Sequence, residues 1–348
     1  METTLKCFPF PEKYPVDVSP LDYNDLRKSS DDYMAYLAGN SSSESNWFPL
    51  PGGAKVEVRH TSVKRLPLFG DGDPLHTVLA LSEPGCETQA VVALYLNGKW
   101  WAVNDILKTS NTSRSGLVTV QSVGERVVLF LLSQIIFGVL ERPLGADTYF
   151  TPHPLGEVGK ILWQDGEAAG FYTIKQKGAL CGSCTSRSYL LPVLDTVFVR
   201  MQFRRRGLAL RMLGDFCASF TNEEVVGISS PVSPSMQHVC RKYLLAREQE
   251  RERLYEVEAP GGWAQRRNIW LSIQLGQHPA NHSNIEKNLS DENHEQKSDA
   301  DEAEKVRECQ TSDRVEAAAR EPKRRTSLKR AGDASEKSVK SKQVKALN

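Results

Sequence analysis

From Lys55 onward apolar and polar residues alternate with a period of two, the pattern of strands that bury one face. Residues 56–60 and 76–81 are predicted strands. Residues 91–96 and 99–103 are a predicted hairpin, because Asn97-Gly98 between them supplies the positive φ angles of a type I′ turn. Trp100 and Trp101 are adjacent in that hairpin, so they face opposite ways, and one belongs to the core. Ahead of this region, Pro9, Pro11, Pro15 and Pro20 imply extended chain, 25–37 a short helix, and 39–45 a loop.

After residue 116 the pattern changes to alternating strands and helices. A strand at 117–121 leads into an apolar helix at 124–141. Strands at 159–163 and 167–174 are joined by Asp165-Gly166. A strand at 192–199 precedes a helix opening at Gly207, with Leu208, Met212, Phe216 and Phe220 on one face. A strand at 224–228, a helix at 234–250 with Ser233 as N-cap, and strands at 254–258 and 268–274 complete the series. The order β, α, β, β, β, α, β, α, β, β predicts an α+β fold with helices against a mixed sheet. The apolar run 127–140 is interrupted by Ser133, Gln134 and Gly138 and bracketed by Glu125-Arg126 and Glu141-Arg142. It falls short of the ~20 residues a bilayer needs, so a buried core helix is expected and a transmembrane segment is not.

Charge divides the chain of 348 residues into two kinds of sequence. The formal net charge is +1, so no global field draws it to nucleic acid or an anionic membrane. Residues 277–348, however, carry 15 basic and 14 acidic side chains and no aromatic residue, Trp270 being the last. Such a segment buries too little apolar surface to offset its ordering entropy, and disorder is expected there. The organisation expected is a β-rich region at 1–116, an α+β domain at 117–275 and a disordered charged tail at 276–348. Seven scattered cysteines make no disulfide framework. Cys181-Gly-Ser-Cys184 lacks a second pair or paired histidines, so no metal site is expected. The N-terminus has neither a basic nor an apolar leader region, which implies an intracellular chain.

The chemistry concentrates in residues 199–209. An apolar strand ends, a basic loop follows, and a glycine opens an amphipathic helix. The backbone N–H groups of Arg206, Gly207, Leu208 and Ala209 then converge at the positive end of the helix dipole, with Arg204, Arg205 and Arg206 adding charge. A pyrophosphate suits such a site. Arg204-x-x-Gly207-x-Ala209 resembles the [Gln/Arg]-x-x-Gly-x-[Gly/Ala] loop of the GNAT acyltransferase superfamily, and the order of elements over 117–275 is similar to theirs. The resemblance implies a GNAT-like mixed sheet that binds acetyl-CoA or another acyl-CoA. It implies a carbonyl-polarising backbone donor from Val197, Phe198 or Val199 on the strand before the loop. It also puts Tyr243 where the family carries its acid, although Leu244-Leu245-Ala246 stands in place of the usual Gly-Phe.

Asp195 is the one carboxylate on that strand and the candidate base. Alternation gives it the face of Val193, Val197 and Val199, at a strand end open to solvent. His238, on the same segment as Tyr243, has no catalytic partner in the sequence. The chain as a whole resembles the soluble lamin-associated protein family. That resemblance implies nuclear residence, extending to the cytoplasm, and a nuclear lamina protein as partner.

The tail has its own polarity. Residues 286–321 carry net −6 and 322–348 net +7. Lys323, Arg324 and Arg325, with Lys329 and Arg330, form a basic cluster of the kind importin recognises. Ser327 lies two residues after paired arginines and is a candidate phosphosite whose charge would weaken that contact. Nucleic acid is not indicated, since the basic run lacks interleaved aromatics. Two functions remain open: an acyl-CoA-dependent N-acyltransferase, or a non-catalytic GNAT-fold interaction module at the nuclear lamina.

Overall fold

The computed structural model describes residues 14–17, 22–39, 46–50, 52–70, 75–83, 90–141, 151–182 and 185–276. The predicted disordered tail, with Lys323, Arg324, Arg325, Ser327, Lys329 and Arg330, lies outside the described residues, as does Cys184.

The first helix, α1, spans Tyr23–Gly39 and buries Leu26 and Ser30. Strands β1 (Trp47–Pro49) and β2 (Lys55–Glu57) make a small antiparallel pair. Strands β3 (Val63–Pro67), β4 (Thr77–Ser82), β5 (Val91–Leu96) and β6 (Lys99–Ala102) form an antiparallel meander in chain order. The β5–β6 turn has φ 52° at Asn97 and 77° at Gly98, as its sequence requires. Both tryptophans are half-buried rather than one in the core. Trp101 packs with the cluster around Leu94 and Leu96, and Trp100 with the one around Leu79, Leu81 and Tyr95. A two-sided sheet gives each face its own hydrophobic layer.

A short helix α2 (Val103–Ile106) leads to the second, seven-stranded sheet. Its strands are β7 (Gly116–Thr119), β8 (Val158–Gln164), β9 (Glu167–Lys175), β10 (Val193–Val199), β11 (Val226–Ser229), β12 (Leu254–Val257) and β13 (Arg266–Asn268), neighbouring one another in chain order. β10, β11 and β12 run parallel, and every other pairing is antiparallel. Parallel neighbours need crossovers, and the helices supply them. α4 (Leu208–Ser219) joins β10 to β11, and α5 (Pro234–Ala246) joins β11 to β12.

α3 (Val123–Phe130) starts with a capping box between Ser122 and Glu125 and continues as a π-helical stretch, Leu131–Leu140. The segment Val123–Leu140 is long and apolar enough to cross a membrane, yet 56% of it is buried within the protein. Period two along β8 and β9 divides the core. Ile161 and Phe171 face α3 and the first sheet, in one cluster with Val78, Leu94 and Phe130 that joins residues on both sides of position 116. Leu162 and Tyr172 face α4 and α5, among Met212, Phe216, Cys240 and Leu244. The α+β class is that predicted, and so is the order of elements from 117 as far as β12.

Two predicted elements differ. The segment 268–274 is not a strand: β13 stops at Asn268, and Ile269–Gln274 is a helix, α6. Asn268 accepts from the Leu271 N–H and Ser272 bonds back to the Asn268 carbonyl, so local side-chain bonds outweigh β propensity. The helix predicted over 234–250 ends at Ala246, where Arg251 reaches back to the Leu244 carbonyl at 2.9 Å.

Candidate functional site

The site begins where β10 leaves β11. Only Val193 and Leu194 pair with β11, opposite Gly227 and Ile228, although β10 continues to Val199. A register shift against β9 falls between Leu194 and Val197, so the strand bends at that point. Beyond it Val197, Phe198 and Val199 stay paired with Tyr172, Phe171 and Gly170 of β9. β11 itself ends at Ser229, so residues 196–199 lie beyond its ladder and leave a gap in the pairing on that side. The Arg200 N–H donates to the Ala169 carbonyl at 2.9 Å. Backbone groups alternate sides along a strand, so the Phe198 N–H also turns to β9, while those of Val197 and Val199 turn to the gap. The three candidate donors thus reduce to two. Gly170 is what lets β10 lie so close to β9, because a Cβ there would come within 2.3 Å of the Phe198 carbonyl oxygen.

Past Val199 the chain makes a 3-10 turn, Met201–Phe203, that buries Phe203. Arg205 then takes φ 63° and Gly207 φ 73°. Gly207 is the N-cap of α4 and no side chain caps it. The first backbone bond of the helix runs from the Arg211 N–H to the Gly207 carbonyl, which leaves the Leu208 and Ala209 N–H groups without a partner in the helix. Arg204 is not free for a ligand. Its Nε donates to the Val199 carbonyl at 2.9 Å and its Nη2 lies 3.2 Å from Glu141, which also accepts from the Met201 N–H at 2.7 Å. Arg205 and Arg206 are exposed, with Arg206 lying over the Phe203 ring.

Asp195 sits at the bend. It is half-buried rather than open to solvent, because the register shift breaks the alternation on which that expectation rests. Its Oδ1 accepts from the Ser229 hydroxyl at 2.6 Å, and its Oδ2 lies 3.9 Å from Lys175. Lys175 also pairs with the buried Glu157, which lies 3.2 Å from His153. Burial pushes the Glu157 carboxyl up, but His153 and Lys175 outweigh it and hold the group at about 2. His153 Nε2 is buried and has no hydrogen-bond partner among the described residues.

Tyr243 is buried on α5, in one cluster with Cys217 of α4. Burial, then Cys217, raises its pKa, while burial pushes Cys217 up to about 11. His238 is exposed, with Nδ1 2.9 Å from the Pro234 carbonyl of its own helix.

A cleft of about 880 Å³ runs from Gly207 along the outward face of α4, within the range of small-molecule sites. Leu210, Gly214 and Ala218 line its α4 wall, and Lys242 and Tyr243 of α5, with Arg247 just past the end of that helix, line another part. The cations here, Arg211 of α4, Lys242 of α5 and Arg247 just past it, share no motif that the sequence would show. Asp215, also on the cleft, is engaged by the Tyr172 hydroxyl at 2.5 Å and by Lys160 at 2.7 Å. Among the described residues no group of three or more His, Cys, Asp or Glu could hold a metal ion.

Fold and site together define an α+β protein whose mixed seven-stranded sheet parts between two parallel strands, beside a helix opened by glycine and flanked by arginine. The chain belongs to the family of Protein FAM169B. It is 46% identical to Protein FAM169B of Mus musculus over 268 residues, covering 76% of this chain and 79% of that protein. It is 56% identical to Protein FAM169BP of Homo sapiens over 118 residues, covering 34% of this chain and 62% of that one. No family model matches the sequence.

Proposed function

We propose that this protein binds an acyl-CoA and transfers its acyl group to an amine, in the manner of the GNAT acyltransferases it resembles. The observation that carries the proposal is the parting of β10 from β11 after two residue pairs, with an uncapped, glycine-opened helix at the end of the parted strand. A thin thioester arm needs a gap with backbone donors, which the Val197 and Val199 N–H groups offer. A pyrophosphate needs converging amides and positive charge. The Gly207, Leu208 and Ala209 amides offer the first, and the exposed Arg205 and Arg206 offer the second. Arg204 contributes by bracing the loop against Glu141 and the Val199 carbonyl.

Bound acyl-CoA supplies an activated thioester carbonyl. As the amine nitrogen forms its bond to the acyl carbon and the carbon–sulfur bond breaks, one proton must leave the nitrogen and one must reach the sulfur. Asp195, held by Ser229 and close to Lys175, is the carboxylate suited to take the first. Basic residues Lys323, Arg324, Arg325, Lys329 and Arg330 would carry the protein to the nucleus through importin, with Ser327 as a phosphorylation switch.

One observation favours the second reading, a non-catalytic nuclear module with a lamina protein as partner: the Tyr243 phenol, the candidate acid, is buried in the packing of α4 and α5. Incubation with acetyl-CoA and a panel of primary amines, with free thiol measured, separates the two. Thiol release that depends on amine and falls at least tenfold in Asp195→Asn supports the enzyme. Tight binding of acetyl-CoA without thiol release supports the module.

A further inference from the structure

The two oxygens of Asp195 are held differently. Oδ1 accepts from Ser229 at 2.6 Å, whereas Oδ2 faces the Thr196 hydroxyl at 3.4 Å and the Lys175 ammonium at 3.9 Å. An ordinary surface lysine at that distance would hold little. Two features set Lys175 apart. The first is its place. It closes β9 opposite Val193, so Asp195, two residues on, is its diagonal neighbour, a spacing that a long side chain spans. Asp195 and Thr196 together stand against Thr173 alone. The buried Thr173 hydroxyl accepts the Thr196 N–H at 3.3 Å and so fixes the bulge that carries the carboxylate.

The second feature is its anchor. The Lys175 Nζ pairs with Glu157, whose side chain is only 2% exposed and lies 3.2 Å from the buried His153. A lysine head usually wanders on its four-carbon stem. Here it cannot leave without stranding a buried carboxylate, so it presents a fixed positive charge. That charge stands beyond hydrogen-bond reach of Asp195. A closer ammonium would occupy the oxygen that has to take a proton. At 3.9 Å it attracts the carboxylate and leaves Oδ2 a lone pair for an incoming amine.

We infer, resting on the acyltransfer reading above, that Lys175 is a positioning residue: clamped by Glu157, it holds Asp195 in the orientation from which Oδ2 takes the amine proton. Glu157 and His153 act through it. The consequence is felt in turnover and not in binding, since misplacing a reacting group by about 1 Å costs on the order of 100-fold.

The test is a double-mutant cycle on the full chain, with acetyl-CoA and the most active amine of the panel above. Lys175→Met alone strands Glu157, so Lys175→Met/Glu157→Gln, which removes charge from both partners, is measured beside it. Circular dichroism reports folding, thiol release gives kcat and the amine KM, and calorimetry gives the acetyl-CoA Kd. Each variant should lose at least tenfold in kcat, with KM and Kd within about threefold of wild type. In an Asp195→Asn background the same substitutions should change kcat by less than about threefold, because the group through which they act is gone. Wild-type kcat in the folded Lys175→Met/Glu157→Gln protein overturns the inference and leaves the acyltransfer reading standing. A loss of equal size in both backgrounds overturns it too, since Lys175 would then act without Asp195. So does a loss confined to KM or Kd, which would make Lys175 a binding residue. Absence of amine-dependent thiol release from the wild type overturns both.

Discussion

Asp195 and Ser229 are joined side chain to side chain, at 2.6 Å, on the rung where β10 and β11 have stopped pairing through their backbones. Had the ladder continued past Leu194 and Ile228, these two residues would be opposite each other. The side-chain bond closes the base of the gap and fixes the carboxylate there. Ser229→Ala should therefore lower stability by roughly 1–2 kcal/mol, as loss of a partner to a charged group does. It should also free the Asp195 carboxylate to move. Urea unfolding measures the first effect, and the pH profile of any amine-dependent thiol release measures the second.

Gly207 gives a second prediction. Its φ of 73° strains any residue with a Cβ, although a Cβ there would meet no atom of the protein within 4 Å. Gly207→Ala should thus fold, at a cost of about 1–2 kcal/mol seen in the denaturation midpoint. Gly207→Asp should cost a similar amount of stability and in addition abolish anion binding, because it puts a carboxylate at the helix start.

Acid stability follows from Glu157. Its folded pKa of about 2 lies below the ordinary 4.5, so its contribution to stability is present above that value and is lost as pH falls from there toward 2. Wild type should lose stability over this window more steeply than Glu157→Gln. Thermal unfolding at a series of pH values measures the difference. Parallel curves for the two proteins would contradict it.

Packing of α4 on the sheet rests on Phe216, which is fully buried in a cluster with Tyr172, Met212 and Leu244. Phe216→Ala should cost about 3–5 kcal/mol. Differential scanning calorimetry should show a lowered, still cooperative transition.

Much of this architecture is legible in the residues themselves. Strand period two, the Asn97-Gly98 and Asp165-Gly166 turns and the Ser233 cap each act over a few positions, so local pattern suffices. Gly207 at the start of α4 belongs to the same class. The part not legible is the part made by long-range geometry. The side chain of Asp195 follows from a register shift against β9, which no alternation rule contains. Arg204 is paired with Glu141, 63 residues away, and its engagement there has no local signature. The α6 helix was hidden because Ile269, Trp270 and Ile273 are also good strand residues, and Asn268 decides between the two through one bond to Leu271. The cations of the cleft, from α4, α5 and the residue after α5, line one cleft only after both helices pack on the sheet.

The nuclear part of the proposal is tested apart from the fold. A fluorescent fusion lacking residues 322–348 should redistribute toward the cytoplasm relative to the full chain, as quantitative imaging would show. An unchanged distribution would mean that Lys323, Arg324, Arg325, Lys329 and Arg330 do not direct import.

The central claim is that the parted strand and the helix at Gly207 form a coenzyme A site, and direct calorimetric titration tests it most simply. Wild type should bind coenzyme A saturably with one site per chain, and Gly207→Asp, shown to be folded by circular dichroism, should not. Removal of the thiol should change the affinity little, because the amides at the helix start act on the pyrophosphate. Absence of binding to the folded wild type at millimolar coenzyme A would contradict the account, and the loop from Arg204 to Ala209 would then be a basic turn ahead of a core helix.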